Sequence, residues 1–268
     1  MLNRFFKLSP PATELERQNR PEAATRCFKT NHSVLPNSDL SLYFHNKQLF
    51  GKTRLTEHMT EWNQILHEKV YSSEEPDDAI VTIADSLQKK ATKSRILDLA
   101  CGAGRHVIYM AGRGFETHGA DISDEGLRLT RERLRTRRLT ASLVKCDMNH
   151  LPYINSRFDT VVCMRAIYHQ RFTGIQNTLS EIHRILRRNG FILADFLTKK
   201  TYSYGKGAEI EKGTFAETEG PEEGVLHHFA DKQEINHLFR VFKTIDLTLR
   251  EREVDGKLRS RWAVQAAK

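Results

Sequence analysis

The stretch ILDLACGAGRH, residues 96–106, decides the fold of this chain. An apolar run that carries one acid, Asp98, breaks into a turn of small residues, and an arginine and a histidine follow. A short apolar run bounded by glycines is typical of a buried strand, and glycine lets a ligand approach the backbone closely. The stretch therefore predicts a strand that ends at a ligand-binding turn.

Strand and helix patterns alternate on the C-terminal side of this turn. The predicted strands are SRILDLA, FETHGADI, ASLVKCD, FDTVVCM and FILADFL. The predicted helices between them are RHVIYMAGRG, SDEGLRLTRERLRTRR with Ser123 as N-cap, and IQNTLSEIHRILRRNG ended by Gly190. This alternation predicts an α/β fold with a doubly wound, mostly parallel sheet. Ligands of such sheets bind beyond the carboxyl ends of the strands.

The C-terminal part of the chain departs from the alternation. Residues 197–230 are punctuated by glycines and rich in tyrosine and lysine, and we expect them to form a lid over the substrate. DKQEINHLF predicts a short helix with Asp231 and Glu234 at the spacing of a capping box. Two further strand patterns are joined by Asp255-Gly256, which predicts a C-terminal antiparallel hairpin.

The turn itself argues against two kinds of nucleotide site. A phosphate-binding P-loop needs a lysine and a serine or threonine after its last glycine, and neither follows Gly104. A dinucleotide-binding turn needs a third glycine where this chain has Val107. A pyrophosphate also gains nothing from an acid just before the turn, where Asp98 lies. A ligand with cationic groups and no phosphate suits that acid better.

With Asp98 followed by Ala100, Gly102 and Gly104, the stretch resembles motif I of the class I S-adenosylmethionine-dependent methyltransferases. The family pattern is an acid followed by GxGxG, and Ala100 replaces its first glycine. The resemblance implies a Rossmann-like methyltransferase sheet and S-adenosylmethionine as cofactor. It extends over about residues 62–268. The segment GVLHHFADKQEI, residues 224–235, resembles the tellurite-resistance-like small-molecule subgroup.

Two further acids support the resemblance by their spacing. Asp121, 23 residues after Asp98, ends the next predicted strand, with Ile122 beside it. A carboxylate there suits the two ribose hydroxyls. Asp147 closes the third strand. The resemblance implies that it takes the adenine amino group, and that Met148 packs on the ring.

The resemblance also gives roles around the methyl group. FDTVVCMRAIYH resembles motif IV, which implies that Cys163 lies near the sulfonium and that His169 lies near the acceptor entrance. His228 is the second candidate base, although adjacent histidines on a strand point to opposite faces. Trp62 and Tyr71 are candidates to cover the cofactor.

The acceptor class is narrowed by what the motif IV region lacks. It contains neither the Asn/Asp-Pro-Pro-aromatic motif of nucleic-acid amino methyltransferases nor the Pro-Cys of pyrimidine C5 enzymes. The predicted fourth strand also has no acids near its end, where metal-dependent enzymes of the family need them. We therefore expect no metal. We expect a sulfur, nitrogen, oxygen, selenium or tellurium nucleophile on a small molecule, with a protein side chain as the second candidate.

Composition limits the alternatives. The 268 residues carry a net charge of +8, much of it in the helix pattern RLTRERLRTRR, which we interpret as a solvated helix face rather than a nucleic-acid surface. No apolar run reaches the length of about 18 residues that a membrane helix needs. With four scattered cysteines, these features predict a cytoplasmic protein.

We expect residues 1–55 to be an N-terminal extension and residues 56–268 to be the methyltransferase domain. Two other functions stay open at this point. A non-catalytic S-adenosylmethionine-binding partner protein would keep the same pocket. A NAD(P) oxidoreductase is disfavoured by the missing third glycine and by the terminal hairpin.

Overall fold

The structure is a computed structural model that describes residues 62–66, 73–89 and 94–268. The predicted extension over residues 1–55 and the candidate Tyr71 lie outside these ranges. Residues 62–65 form one turn of helix, in which the amide of Leu66 donates to the carbonyl of Trp62.

Five helices and ten strands follow in the described part of the chain. They are α1 (Asp78–Gln88), β1 (Arg95–Leu99), α2 (Arg105–Gly112), β2 (Glu116–Asp121), α3 (Asp124–Thr136), β3 (Ser142–Lys145), β4 (Phe158–Cys163), α4 (Phe172–Ile185), β5 (Leu186–Leu197), β6 (Ala208–Glu211), β7 (Thr214–Ala216), β8 (Leu226–His228), α5 (Lys232–Leu238), β9 (Thr244–Val254) and β10 (Lys257–Ala267).

The main sheet has seven strands in the order β3-β2-β1-β4-β5-β10-β9. Strands β1 to β5 are parallel, and β10 is antiparallel to both β5 and β9. The predicted doubly wound sheet with a C-terminal hairpin is confirmed. The order turns back at β1 and β4, so the carboxyl ends of these two strands meet at the switch point where ligands of such sheets bind.

Burial on both faces of the sheet explains the apolar residues of the two central strands. Leu97 and Leu99 of β1, with Phe158 and Val161 of β4, lie in the core and are at most 1% exposed. Asp98, in the middle of this apolar set, is 2% exposed. A charge in such a place is costly unless a partner or a ligand compensates it.

The predicted end of the fourth helix at Gly190 is wrong. Helix α4 ends at Ile185 and β5 begins at once, with Leu186 opposite Phe158. The register then shifts before Phe191, and Asn189 adopts a left-handed conformation with φ 63°. A Cβ on Gly190 would lie 3.0 Å from the carbonyl oxygen of Asp159, so this glycine serves a close approach of two strands.

Residues 197–230, which the sequence predicts as a lid, contain a second sheet that the sequence pattern did not reveal. Strands β6, β7 and β8 form it in that order, all antiparallel. A bridge between Leu197 and Phe229 joins its end to β5. His228 N also donates to the carbonyl of Tyr168, which brings this small sheet next to the loop after β4.

The described helices include none that is long and apolar enough to cross a membrane.

Helix α3 packs closely against the turn after β1. Gly104 has φ 79°, and a Cβ added to it would lie 2.4 Å from Thr130 Oγ1. The Thr130 hydroxyl in turn donates to the carbonyl of Gly102. Gly104 therefore meets two demands, a left-handed backbone and a close helix contact.

Gly104→Ala tests the second demand, because Gly114 offers a control at φ 84° with no atom within 4 Å of an added Cβ. Alanine in the left-handed region costs about 1–2 kcal/mol, and overpacking adds about 1–3 kcal/mol. In urea denaturation, we expect Gly114→Ala to lose about 1 kcal/mol and Gly104→Ala about 3 kcal/mol. Equal losses would contradict the packing account.

Candidate functional site

The turn after β1 is a strained and tightly covered loop. Ala100, Gly102 and Gly104 all have positive φ, at 58°, 51° and 79°. The alanine is the costly member of this set, because a Cβ disfavours the left-handed region. Leu66 covers the turn, since a Cβ on Gly102 would lie 3.5 Å from Leu66 Cδ2. The three predicted turn positions thus share one loop beneath the 62–66 helical turn.

Asp98 lies just before this loop, and one of its carboxylate oxygens has no hydrogen-bond partner. Its Oδ2 is buried and has no hydrogen-bond partner, and its Oδ1 lies 3.7 Å from His106 Nδ1. Leaving a buried charged acceptor unsatisfied costs several kcal/mol in the absence of a partner (roughly 1–3 for a neutral group and more for an ion). The oxygen is thus a binding position for a donor that the protein itself does not supply.

Arg105 and His106 were interpreted from the sequence as the opening of a helix, and the structure adds a second role. Both contact Asp77, at 2.7 Å from Arg105 Nη2 and 3.4 Å from His106 Nε2. Arg165 Nη2 reaches the other oxygen of Asp77 at 2.7 Å. His106 therefore stands between two carboxylates, those of Asp77 and Asp98.

The titration of this cluster follows from its charges. Burial alone would raise the pKa of Asp77, but the hydrogen bond with His106 and the charges of Arg105 and Arg165 hold it well below its usual range. Burial alone would lower the pKa of His106, but its hydrogen bonds with Asp77 and Asp98 raise it. The sequence did not reveal Asp77, which precedes α1 and reads as part of an acidic loop.

Asp121 lies at the end of β2, beside the same turn. Its Oδ2 accepts a hydrogen bond from Gly102 N and its Oδ1 accepts one from Ser123 N, both at 2.7 Å. Burial, partly offset by these bonds, raises its pKa to about 6. Each carboxylate oxygen keeps a second lone pair, so the group can still accept from a ligand. Ile122, the next residue, is half-buried.

The third acid lies in a turn after β3. Asp147 Oδ1 accepts from the amide of Asn149 at 2.8 Å, which is an Asx turn. Met148 is half-buried against the core, and Gln170 Nε2 lies 3.4 Å from its sulfur. The turn therefore holds Asp147 in place and presents Met148 beside the loop that follows β4.

Cys163 ends β4 and is fully buried, opposite Ala194 of β5. Burial raises the pKa of its thiol far above the usual range. The thiol is therefore a small apolar group at this position and not a nucleophile.

The loop after β4 gathers an aromatic cluster. The ring of His169 lies 4.4 Å from Tyr168, 4.7 Å from His227 and 4.9 Å from Trp62, measured between centroids. His169 Nδ1 lies 3.2 Å from the carbonyl oxygen of Leu226. Because a carbonyl only accepts, Nδ1 carries the proton and Nε2 keeps its lone pair. Burial and the nearby His227 lower the pKa of His169 to about 3.

The two adjacent histidines point in opposite directions. His227 faces His169, and its Nε2 lies 2.8 Å from Glu222 Oε2. His228 has no exposed surface, and its ring nitrogens contact Thr214 Oγ1 at 2.7 Å and Glu234 Oε1 at 3.2 Å. The structure thus brings His169 into the cluster but holds His228 between the small sheet and α5.

An ion pair between Arg261 and Asp195, which the sequence did not reveal, also contacts the aromatic cluster. Arg261 of β10 donates to Asp195 Oδ2 at 2.8 Å and to the hydroxyl of Tyr168 at 2.6 Å. Asp195 Oδ1 accepts from the amide of Arg165 at 2.5 Å. The pair fixes the loop through residues that lie 30 or more positions apart in the chain.

No group of three or more His, Cys, Asp and Glu side chains in the described ranges is arranged to hold a metal ion.

Comparison with known proteins shows similarity to methyltransferases. Residues 96–190 match the family described as the methyltransferase domain. The Bacillus subtilis protein YqeM is 31% identical over 147 residues, which are 54% of this chain and 57% of YqeM. A glycine/sarcosine N-methyltransferase of Aphanothece halophytica is 27% identical over 157 residues, 53% of this chain and 57% of that protein. Residues 96–190 are therefore similar to a methyltransferase domain, and the chain spans about half the length of these relatives.

Solved structures share the fold. A methyltransferase from Methanosarcina mazei aligns with a TM-score of 0.59 at 21% identity, over 69% of this chain and 96% of that one. TehB from Haemophilus influenzae aligns with a TM-score of 0.55 at 14% identity, over 75% of this chain and 65% of TehB. A Burkholderia thailandensis 1,6-didemethyltoxoflavin-N1-methyltransferase was solved with bound 1,6-didemethyltoxoflavin and S-adenosylhomocysteine. It aligns with a TM-score of 0.56 at 17% identity, over 89% of this chain and 93% of that one. The Rossmann-like methyltransferase fold is thereby established.

The raised pKa of Asp121 gives a test of the site. Its folded pKa, about 6, exceeds the ordinary 3.8, so the proton-bound form is favoured by folding. That contribution is complete below pH 3.8 and is lost as pH rises through 6. Between pH 4 and pH 7, wild type should lose about 2 kcal/mol of unfolding free energy relative to Asp121→Asn. Urea denaturation at both pH values measures this, and a constant difference between the two proteins would contradict it.

Proposed function

We propose, from the methyltransferase domain at residues 96–190, that this chain binds S-adenosylmethionine at the turn after β1 and methylates a small-molecule nucleophile. The acceptor atom is nitrogen, sulfur or a heavier chalcogen rather than an alcohol oxygen. The whole of residues 56–268 serves this reaction in our proposal, with the small sheet forming one wall of the acceptor site.

The observation that carries the proposal is the unpartnered Asp98 Oδ2. A buried carboxylate oxygen beside a left-handed glycine turn suits a cationic donor such as an amino acid ammonium group. A phosphate would be repelled there. His106 Nδ1 lies 3.7 Å from the other oxygen, Oδ1, which is a weak contact. The carboxylate can therefore also attract a cationic group of a ligand.

The neighbouring residues fit the rest of such a ligand. The backbone of Ala100, Gly102 and Gly104 would line the amino acid portion. Asp121 would accept from the ribose hydroxyls through its second lone pairs, since each oxygen uses one for a backbone amide. The residues that would bind the cofactor are Asp98, Ala100, Gly102, Gly104, Asp121, Ile122, Asp147, Met148 and Cys163.

When bound, S-adenosylmethionine supplies a methyl group already activated by a sulfonium. The protein then needs chiefly to align the acceptor, and alignment alone can supply several kcal/mol of the barrier (about 7–11 in the best intramolecular cases). Residues 62–66 exclude water from the turn, because Leu66 lies on Gly102 and is 8% exposed.

His169 receives the acceptor in our proposal, with its free Nε2 as hydrogen-bond acceptor. A pKa of about 3 makes this imidazole neutral at physiological pH but a weak base. It can orient an amine or a thiol, whereas an alcohol needs a stronger base. His228 is left out of the reaction because both of its ring nitrogens are engaged inside the protein.

Calorimetry with S-adenosylmethionine, S-adenosylhomocysteine and NAD tests the cofactor. Wild type should bind both nucleosides and not NAD. Asp98→Asn should weaken S-adenosylmethionine binding by about 10- to 100-fold, because it removes a charged hydrogen-bond acceptor worth about 1.5–3 kcal/mol.

Asp159→Asn is the matched control. Asp159 lies at the opposite end of β4, where it accepts from Arg95 N and pairs with Arg187. Its variant should keep the affinity of wild type for the nucleoside. Binding of NAD without either methionine nucleoside would instead support an oxidoreductase, and unchanged affinity in Asp98→Asn would remove the basis of the proposal.

A further inference from the structure

The C-terminal hairpin carries like charges directly opposite one another. Arg252 of β9 pairs with Arg259 of β10, and Arg250 pairs with Arg261. Because side chains alternate along a strand, these four arginines share one face, and Glu251 lies on the other. Like charges directly opposite destabilise a sheet. The arrangement therefore works against folding and calls for a function.

A tyrosine gathers further cations on this face. Lys206 Nζ lies 4.9 Å from the ring centroid of Tyr202, Lys257 Nζ 5.3 Å and Arg259 Cζ 5.7 Å. The three charges are thus on the order of one Debye length apart, about 8 Å at physiological ionic strength, so they repel one another. Tyr202 is 37% exposed, and the cluster is open to solvent.

We define the cationic face as Lys206, Arg250, Arg252, Lys257 and Arg259. Within the residues that the structure describes, no salt bridge joins any of these five to a carboxylate. Arg259 Nε is moreover buried without a hydrogen-bond partner. Glu251, between Arg250 and Arg252 in sequence, contacts Lys200 and Ser260 on the other side of the hairpin.

The cationic face continues into the acceptor end of the site. Arg261 follows Arg259 by two residues on the same side of β10, about 7 Å along the strand. Its guanidinium donates to the hydroxyl of Tyr168, whose ring lies 4.4 Å from that of His169. A ligand that reaches from His169 to the cationic face would therefore be an extended small molecule.

We propose that the cationic face binds the phosphate group of a small acceptor whose other end lies at His169. This assignment rests on the proposed function for the position of methyl transfer. The face carries three guanidiniums and two ammonium groups, and a phosphate offers three oxygens and up to two charges to them. A carboxylate needs only one arginine. The face spans two residues on each of two strands, which suits a compact group better than a polymer.

Binding of inorganic tripolyphosphate, measured by calorimetry at low ionic strength without methyl donor, tests this site. The variant Arg252→Gln, Lys257→Gln, Arg259→Gln should bind at least about tenfold more weakly than wild type. The control variant Arg131→Gln, Arg135→Gln, Arg188→Gln removes the same charge from exposed positions elsewhere and should lose less than about twofold.

Equal losses in the two triple variants, or no binding by wild type, would overturn the proposal. Citrate bound as tightly as tripolyphosphate would overturn the choice of phosphate, and a twelve-residue oligodeoxythymidylate bound more tightly would assign the face to nucleic acid instead. Should the triple variant not fold, the exposed single change Lys257→Gln should still weaken binding about threefold. Nucleoside binding is measured separately, so loss of this site leaves the cofactor assignment untouched, and the reverse holds.

Discussion

Asp98 places a negative charge at the end of the central strand, where both faces of the sheet exclude water. The fold compensates that charge only in part, through a histidine whose other nitrogen faces Asp77. The rest of the site follows from this constraint. The backbone leaves β1 through three left-handed residues, α3 closes on the turn through Thr130, and Leu66 covers it. Each contact keeps water away from an acid that still lacks one partner.

The same sheet order that buries Asp98 assembles the opposite end of the site. Strand β10 enters the sheet beside β5, which brings Arg261 onto Asp195 and Tyr168. This contact holds the loop after β4 in position for His169. The proposed donor and acceptor ends are therefore attached to different parts of one sheet, and strand spacing fixes their separation. Such rigidity favours catalysis by alignment over catalysis by a strong base.

The sequence brought together the residues of the proposed donor end because their signals are local. Asp98, Asp121 and the turn glycines all lie at the ends of strongly apolar strands, and the strand ends meet by the rules of parallel sheets. The acceptor end was harder to predict. Asp195 and Arg261 meet only through the pairing of β5 with β10, and strands of three or four residues such as β7 have too few positions to show alternation. Asp77 was missed for a related reason, since its partners Arg105 and Arg165 lie 28 and 88 residues away.

One long-range feature could have been found from sequence. The two-residue Asp255-Gly256 turn fixes the register of the hairpin, and this register alone places Arg252 opposite Arg259. Asp98 has the central role in the proposed methyl transfer, which can be measured directly. Methyl-labelled S-adenosylmethionine can be incubated with the protein and a cell extract, and the products separated by size. The account predicts label in the low-mass fraction with wild type and little with Asp98→Asn. Label on macromolecules, or no transfer by a protein that binds the nucleoside, would contradict it.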